Sequence, residues 1–326
     1  METNNIDFSI IIPAYNEAGN LTPLVERISR VMGGVEGEYE IVIVDNGSSD
    51  SSAFVLNSLL RSHSSLVVLT LSRNFGYDSA IMAGLENSRG KRLIIMDGDQ
   101  QDPPEEIPRF ISKMDEGFDI VYGIREKRSE GWFISIMMKW FYRVWLKVSE
   151  IEVPKDAGNF GIFSRDVLNI IKGMPERNKF FRGLRAWTGY PAVGMVYQRV
   201  ERPIGKTKCS FFSYFNAALN GITSFSIIPI RIFSYAGFFG IIMCLVMGAF
   251  LFFTRLAEVL GLGVLPYKIP MGGTTTALLI IFSICIVFVG FGIIGEYVGA
   301  ILKEVKRRPD FIIRNISRSS DKQHTD

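Results

Sequence analysis

The chain has only two histidines and three cysteines in 326 residues, too few for a Cys/His zinc site or a disulfide framework. Cys209 stands alone, and Cys244 and Cys285 lie inside apolar runs, so reduced thiols are expected. No glycine-rich GxGxxG follows the first strand-like run. Pro13, Ala14, Tyr15, Asn16 and Glu17 stand there instead, which argues against a dinucleotide fold. The opening METNNIDF lacks the basic-then-apolar pattern of a secretory leader, so none is expected. Net charge is only +3, which gives no reason to expect a nucleic-acid partner. Internal repeats and low-complexity tracts are also missing, apart from a polar tail after Ser317 expected to be disordered.

Apolar residues are present in excess: 48% of the chain is hydrophobic, with 25 phenylalanines. Residues 232–254 and 269–295 contain no charge at all. Each run supplies the roughly 20 apolar residues that a bilayer crossing requires. Two transmembrane helices are therefore expected. Arg231 precedes the first, and Lys303, Lys306, Arg307 and Arg308 follow the second, while the connection carries only Arg255, Glu258 and Lys268. The positive-inside rule then puts the first two-thirds of the chain and both termini in the cytoplasm, on an inner-membrane protein. Gly237, Gly240, Gly290 and Gly295 permit close helix contacts and leave a homo-oligomer open.

Up to about residue 125, short Val/Ile-rich runs alternate with amphipathic ones. Helices are expected over 21–31, 51–61, 79–88 and 105–116, between the strands FSIIIPAY, EYEIVIVD, LVVLTLS, KRLIIMD and FDIVYG. That alternation predicts an α/β domain with a mostly parallel sheet. Residues 132–147 are then aromatic nearly all round, except that Lys139, Arg143 and Lys147 recur every four positions. One cationic stripe on an aromatic helix suits the membrane interface, and 211–222 is a second candidate. The expected division is 1–130 for the nucleotide-binding part, 131–228 for an acceptor-side part with juxtamembrane helices, 229–302 for the spans, and 303–326 for a basic cytoplasmic tail.

Chemistry concentrates where the strands end. Pro13 to Glu17 follow the first strand, Asp45 ends the second, and Arg73 and Asn74 follow the third. Asp97, Asp99, Gln101 and Asp102 follow the fourth, in MDGDQQDPPE. Parallel strands place all four segments at one sheet edge, where α/β proteins bind ligands. One such aspartate is as readily a turn or helix cap. Four segments including an acidic DxD are harder to explain so. Hard oxygens this crowded repel one another unless a divalent cation or a hydrogen-bonding partner separates them.

IIPAYNEAGN, IVDNGSSD, LSRNFG and above all MDGDQQDPPE resemble the family 2 glycosyltransferases with a GT-A fold. ERNKFFRGLRAWTGY, RPIGKTK, SFSIIPIR and GEYVGAILKEVKRRP extend the resemblance to the polyisoprenyl-phosphate glycosyltransferases, over nearly the whole chain. The resemblance implies a Rossmann-like GT-A domain with interfacial helices and two membrane helices. It also implies transfer of a hexose, from UDP-glucose or another UDP-sugar, to undecaprenyl phosphate with inversion. Pro13, Tyr15, Glu17, Asp45 and Asp97 would contact the donor, and Asp99 and Gln101 would hold Mg2+ or Mn2+. Arg125, Arg202, Lys206 and Lys208 would clamp phosphate, and Asp156 would serve as a base or orient the acceptor. Two departures stand out: the usual VDDGS is VDNGS at Asn46, and the usual GDFR is GNFG at Gly158 to Gly161. Two other readings stay open. A processive polysaccharide synthase would need a QxxRW element and more spans, both missing here, and a non-catalytic membrane scaffold would not need the intact acidic cluster.

Overall fold

The computed structural model describes residues 6–126, 157–176, 179–200 and 273–319, with scattered positions between 235 and 261. Two units emerge, one of residues 1–221 with 307–326 and one of residues 222–306.

The first unit is built on one eight-stranded sheet. Its strands are β1 (Phe8–Ala14), β2 (Tyr39–Asp45), β3 (Leu66–Leu71), β4 (Arg92–Ile95), β5 (Ile120–Arg125), β6 (Ala157–Ser164), β7 (Ala192–Tyr197) and β8 (Ile313–Arg318). They lie in the order β7-β5-β6-β4-β1-β2-β3-β8. Helices α1 (Ala18–Met32), α2 (Ser52–Ser62), α3 (Tyr77–Asn87), α4 (Ile107–Asp115), α5 (Arg165–Gly173) and α6 (Phe181–Trp187) connect or cover them.

Every residue of β1 is buried, as the unbroken apolar run FSIIIPA requires of a central strand covered on both faces. Ile10 and Ile12 pack with Leu21, Leu24 and Ile28 of α1 and Phe110 of α4. On the opposite face Val42, Val44 and Leu69 pack with Ala80 and Ala83 of α3. Pro13 is tolerated in this strand because β4 pairs with β1 only from Phe8 to Ile11. Ile11 accepts from Met96 N on that side, and Pro13, two residues on, would aim its missing N–H past the end of β4.

The parallel core β3-β2-β1-β4 matches the sequence expectation, and the four expected helices fall within a few residues of α1 to α4. The sheet as a whole is more mixed than expected. β6 runs antiparallel between β4 and β5, and β8 runs antiparallel to β3. β6 fits against β5 through Gly161, whose added Cβ would stand 2.3 Å from the Val121 carbonyl oxygen.

Residues 313–318, expected as part of a basic tail, are thus an edge strand of the first unit. Phe311 and Ile313 pack on the α3 side of the core. Arg318 reaches the buried Glu40 carboxylate at 3.8 Å, where Ser9 Oγ also donates at 2.7 Å.

The second unit contains α7 (Gly273–Val305), 33 residues long. Its described apolar side chains are largely exposed, with Phe288 at 69% and Phe291 at 65%. Among the described residues no helix is long and apolar enough to cross a membrane. The side chains of Ala277, Leu278, Leu279, Ile281, Phe282 and Cys285 within α7 lie outside that set. The interfacial segments 132–147 and 211–222 and most of 232–254 also lie outside the described residues.

Candidate active site

Parallel β1, β2, β3 and β4 end on one edge, and the neighbouring strands bring further groups there. β6 pairs Ala157 with Ile124 and Gly161 with Ile95, so Gly158 and Asn159 lie beyond the end of β4. β7 pairs Tyr197 with Arg125, so residues 198–200 emerge beside them. Val200 N donates to Gln101 O at 3.0 Å and ties that end to the loop after β4.

Asp97 is the hub of this edge. Its Oδ1 accepts from the Tyr77 hydroxyl at the start of α3. Its Oδ2 accepts from Arg199 Nη2 at 3.4 Å and has Arg125 Nη2 at 3.8 Å. Tyr77 is 41% exposed as a residue, so the desolvation falls on its hydroxyl rather than its ring. Burial, then the Asp97 charge, pushes that phenol well above its ordinary pKa. Tyr77 therefore keeps its proton.

Asp102 lies deeper. Tyr197 OH donates to its Oδ1 at 2.6 Å, and Arg199 Nε stands 3.6 Å away. Its other oxygen is buried with no hydrogen-bond partner. Burial first, and then the Asp97 charge, raises this carboxyl to about 6. Tyr197 is set by a stack of rings, 5.2 Å from Phe160, which is 4.8 Å from Phe110 of α4. Desolvation pulls the Arg125 guanidinium down, but Asp102, Tyr197 and Asp97 outweigh it, and its pKa ends above the ordinary value. Arg185 of α6, which donates to Gly158 O at 3.1 Å, is lowered to about 10 by burial and then by Arg182.

The loops are locked to one another. Asn46, 4% exposed, donates through Nδ2 to Gly76 O at 3.0 Å and Asn74 Oδ1 at 3.3 Å, and accepts from Phe75 N at 3.0 Å. Gly47, at φ +70°, sits against the Arg73 backbone, where an added Cβ would meet the carbonyl carbon at 2.5 Å. Asp45 Oδ1 accepts from Ser48 N at 2.9 Å, and Ser48 Oγ accepts from Asn16 N at 2.9 Å. Gln100 Nε2 donates to Asn20 Oδ1 at 3.2 Å, and Asn20 Nδ2 donates to Glu17 at 2.6 Å. Asn16 and Gln100 both adopt positive φ, at 56° and 61°. These bonds hold both sparsely populated conformations.

Residues 9–170 match the model of glycosyl transferase family 2. An uncharacterised glycosyltransferase of Synechocystis is 36% identical over 312 residues, covering 95% of this chain and 96% of that protein. The chain belongs to glycosyl transferase family 2. A bactoprenol glucosyl transferase derived from prophage SfII of Shigella flexneri is 34% identical over 314 residues, covering 96% of this chain and 99% of that protein. Among solved structures, a mannosyltransferase of Pyrobaculum calidifontis with GDP-Man and Mn2+ aligns at a TM-score of 0.48 and 18% identity, covering 67% of this chain and 62% of that one.

Of the residues expected at the site of this family 2 chain, Pro13, Tyr15, Glu17, Asp45, Asp97, Asp99, Gln101 and Arg125 lie at the shared edge. Asp156, Arg202, Lys206 and Lys208 lie outside the described residues. Tyr77, Asn159, Arg182, Tyr197 and Arg199 were missed by sequence reasoning. Tyr77 and Arg199 carry no motif signal. Asn159 lay inside the noted GNFG, and Arg182 inside FFRGLR.

Asp99 Oδ1 accepts from Gln101 N at 3.1 Å, so one turn carries both expected ligands. Among the described residues no group of three or more His, Cys, Asp or Glu side chains could hold a metal. An acid and an amide supply hard oxygens. They fit an ion that takes its remaining ligands from phosphate and water, as Mg2+ commonly does.

Proposed function

We propose that this family 2 glycosyltransferase moves a hexose from a UDP-sugar, UDP-glucose in the first instance, to undecaprenyl phosphate at the cytoplasmic face of the membrane. The observation that carries the reading is the folding of Arg125 and Arg199 onto the Asp97 to Asp102 loop, at the edge where four parallel strands end. Acids for a metal–diphosphate and guanidiniums for a second phosphate lie within one crevice. Relatives named bactoprenol glucosyl transferases match end to end, which supports the lipid acceptor.

Pro13, Tyr15, Glu17 and Asp45 border the space for the nucleoside. Mg2+ or Mn2+, held by Asp99 and Gln101, would neutralise the leaving diphosphate. Arg125 and Arg199 now share Asp97; an arriving phosphate gives them a stronger anionic partner and orients its oxygen. Arg202, Lys206 and Lys208 are proposed to add to that clamp. The acceptor monoester, with a second pKa of about 6 by analogy with phosphoserine, is already mostly a dianion at neutral pH. Its oxygen attacks the anomeric carbon, the bond to the diphosphate breaks, UDP departs and the configuration inverts. No strong base is required, so Asp156 is assigned to orienting the acceptor or its clamp.

Two membrane helices, 232–254 and the apolar part of α7, complete the proposal. The charge-free sequence and the exposed phenylalanines of α7 support it. The pairing of β8 with β3 supports an even number of crossings, since two strands cannot pair across a bilayer. Purified protein given labelled UDP-glucose, undecaprenyl phosphate and Mg2+ should form labelled lipid. No lipid-linked label from any UDP-sugar would reject the function.

A further inference from the structure

Five buried polar atoms around Asp97 have no hydrogen-bond partner: Asn159 Oδ1, Asp102 Oδ2, and the Nε atoms of Arg125, Arg182 and Arg199. The first is the most informative, because its direction is fixed by proton counting. Tyr77 has one hydroxyl proton, and it is given to Asp97 Oδ1. Asn159 hydrogen-bonds to the same hydroxyl. With that proton spent, the phenolic oxygen can only accept, so Asn159 must present Nδ2 to it. The amide is thereby oriented, and Oδ1 is the atom left over. It is a buried carbonyl oxygen needing an N–H or O–H that no described residue supplies.

The backbone around it is equally determined. Gly158 precedes Asn159 and is gripped from two sides. The Arg125 guanidinium lies 3.6 Å from where a Gly158 Cβ would stand, and Arg185 donates to the Gly158 carbonyl at 3.1 Å. Phe160, which follows, is fixed in the ring stack with Phe110 and Tyr197. A polar side chain flanked by two anchored neighbours, with an open acceptor, is built to meet a ligand.

We infer that Asn159 determines sugar specificity: its Oδ1 accepts a hydrogen bond from a hydroxyl of the donor hexose, and the site selects a neutral sugar. This rests on the transferase reading above. The charges around the amide argue for neutrality. An ammonium group on the sugar would also offer a proton, but it would enter among Arg125, Arg182 and Arg199, which outnumber the Asp97 and Asp102 carboxylates there. A carboxylate would suit those cations but has no proton for Oδ1. The lipid phosphate, as a dianion, has none either. A hydroxyl satisfies Asn159 while the arginines remain available to phosphate oxygens.

The test combines a donor series with two isosteric variants, Asn159→Leu and Asn159→Asp, using UDP-glucose and its monodeoxy analogues with undecaprenyl phosphate and Mg2+. In the unaltered chain, one deoxy position should lower kcat/KM roughly ten- to a hundredfold. In Asn159→Leu that same deoxy analogue should perform about as well as UDP-glucose. Asn159→Asp keeps an oxygen acceptor but loses the donation to Tyr77, so it should lower kcat/KM for every donor while still favouring UDP-glucose over that deoxy analogue. Binding of UDP alone should be equal in the unaltered chain and Asn159→Leu.

Transfer that shows the same deoxy penalties with and without Asn159 overturns the inference and leaves the transferase function standing. Equal weakening of UDP and UDP-glucose by Asn159→Leu overturns it in favour of a nucleoside contact. A variant that fails to fold is replaced by the donor comparison on the unaltered chain: faster transfer from a charged hexose than from glucose refutes the selection. An unaltered chain that transfers no sugar removes both the function and this inference.

Discussion

Replacing Asn46 by aspartate should unlock the two loops that frame the donor side. The amide uses both ends: Nδ2 donates to Gly76 O at 3.0 Å and Asn74 Oδ1 at 3.3 Å, and Oδ1 accepts from Phe75 N at 3.0 Å. A carboxylate keeps the last bond but loses both donations, and turns an oxygen toward two other oxygens. At 4% exposure, water cannot relieve that conflict. A buried carboxylate turned toward two carbonyl oxygens should cost about 2–5 kcal/mol. The deficit should also depend on pH. The new carboxyl would have a folded pKa above its unfolded one, so the loss is full at high pH and shrinks as pH falls through the folded value. Urea unfolding of Asn46→Asp and the unaltered chain at pH 8 and pH 5 measures this directly. Transfer should weaken as well, because the same loop leads into Tyr77. Stabilities within about 0.5 kcal/mol of each other at both pH values would refute the latch.

Asp99→Ala should lower metal-dependent transfer by about 10²- to 10³-fold while leaving the thermal midpoint within a degree or two, since Asp99 sits in a loop. Assaying label transfer and unfolding on one preparation checks both parts. Asp78, at the start of α3, is raised to about 6 by burial, against the opposing Phe181 N–H and Arg182. Its folded pKa exceeds its unfolded one, so its contribution to stability grows as pH falls from about 6 toward 3.8 and is lost above. Asp78→Asn should therefore raise stability at pH 8 by about 1–2 kcal/mol and by less at pH 5, a difference readable from urea midpoints. Ending the chain before Asp310 removes β8 with Phe311, Ile313 and the Arg318–Glu40 pair. It should cost the sheet unit about 2–4 kcal/mol, visible as a lower thermal midpoint of the purified protein.

The sequence made the parallel core legible because each strand is a short Val/Ile run between amphipathic segments, and burial on both faces demands that pattern. The site edge followed, since parallel strands put Tyr15, Asp45, Asn74 and Asp97 at one end. The antiparallel members were not legible. AGNFGIFS carries no mark of direction, and its place between β4 and β5 depends on contacts with residues far away in the chain. β8 was hidden for a different reason: IRNISR is polar and basic because it is an exposed edge strand, and such strands look like tails. Arg125 was found through its motif. Arg199 and Tyr197 were not, because a single arginine or tyrosine beside a strand end looks like any solvated residue. Only the pairing of β7 with β5 puts them beside Asp102.

The most direct test is an experimental structure of the protein with UDP and Mn2+. The ion should lie about 2.0–2.3 Å from Asp99 and from diphosphate oxygens, with the uridine between the ends of β1 and β2. Nucleotide bound away from this edge, with Asp99 and Gln101 touching no ion, would contradict the site assignment.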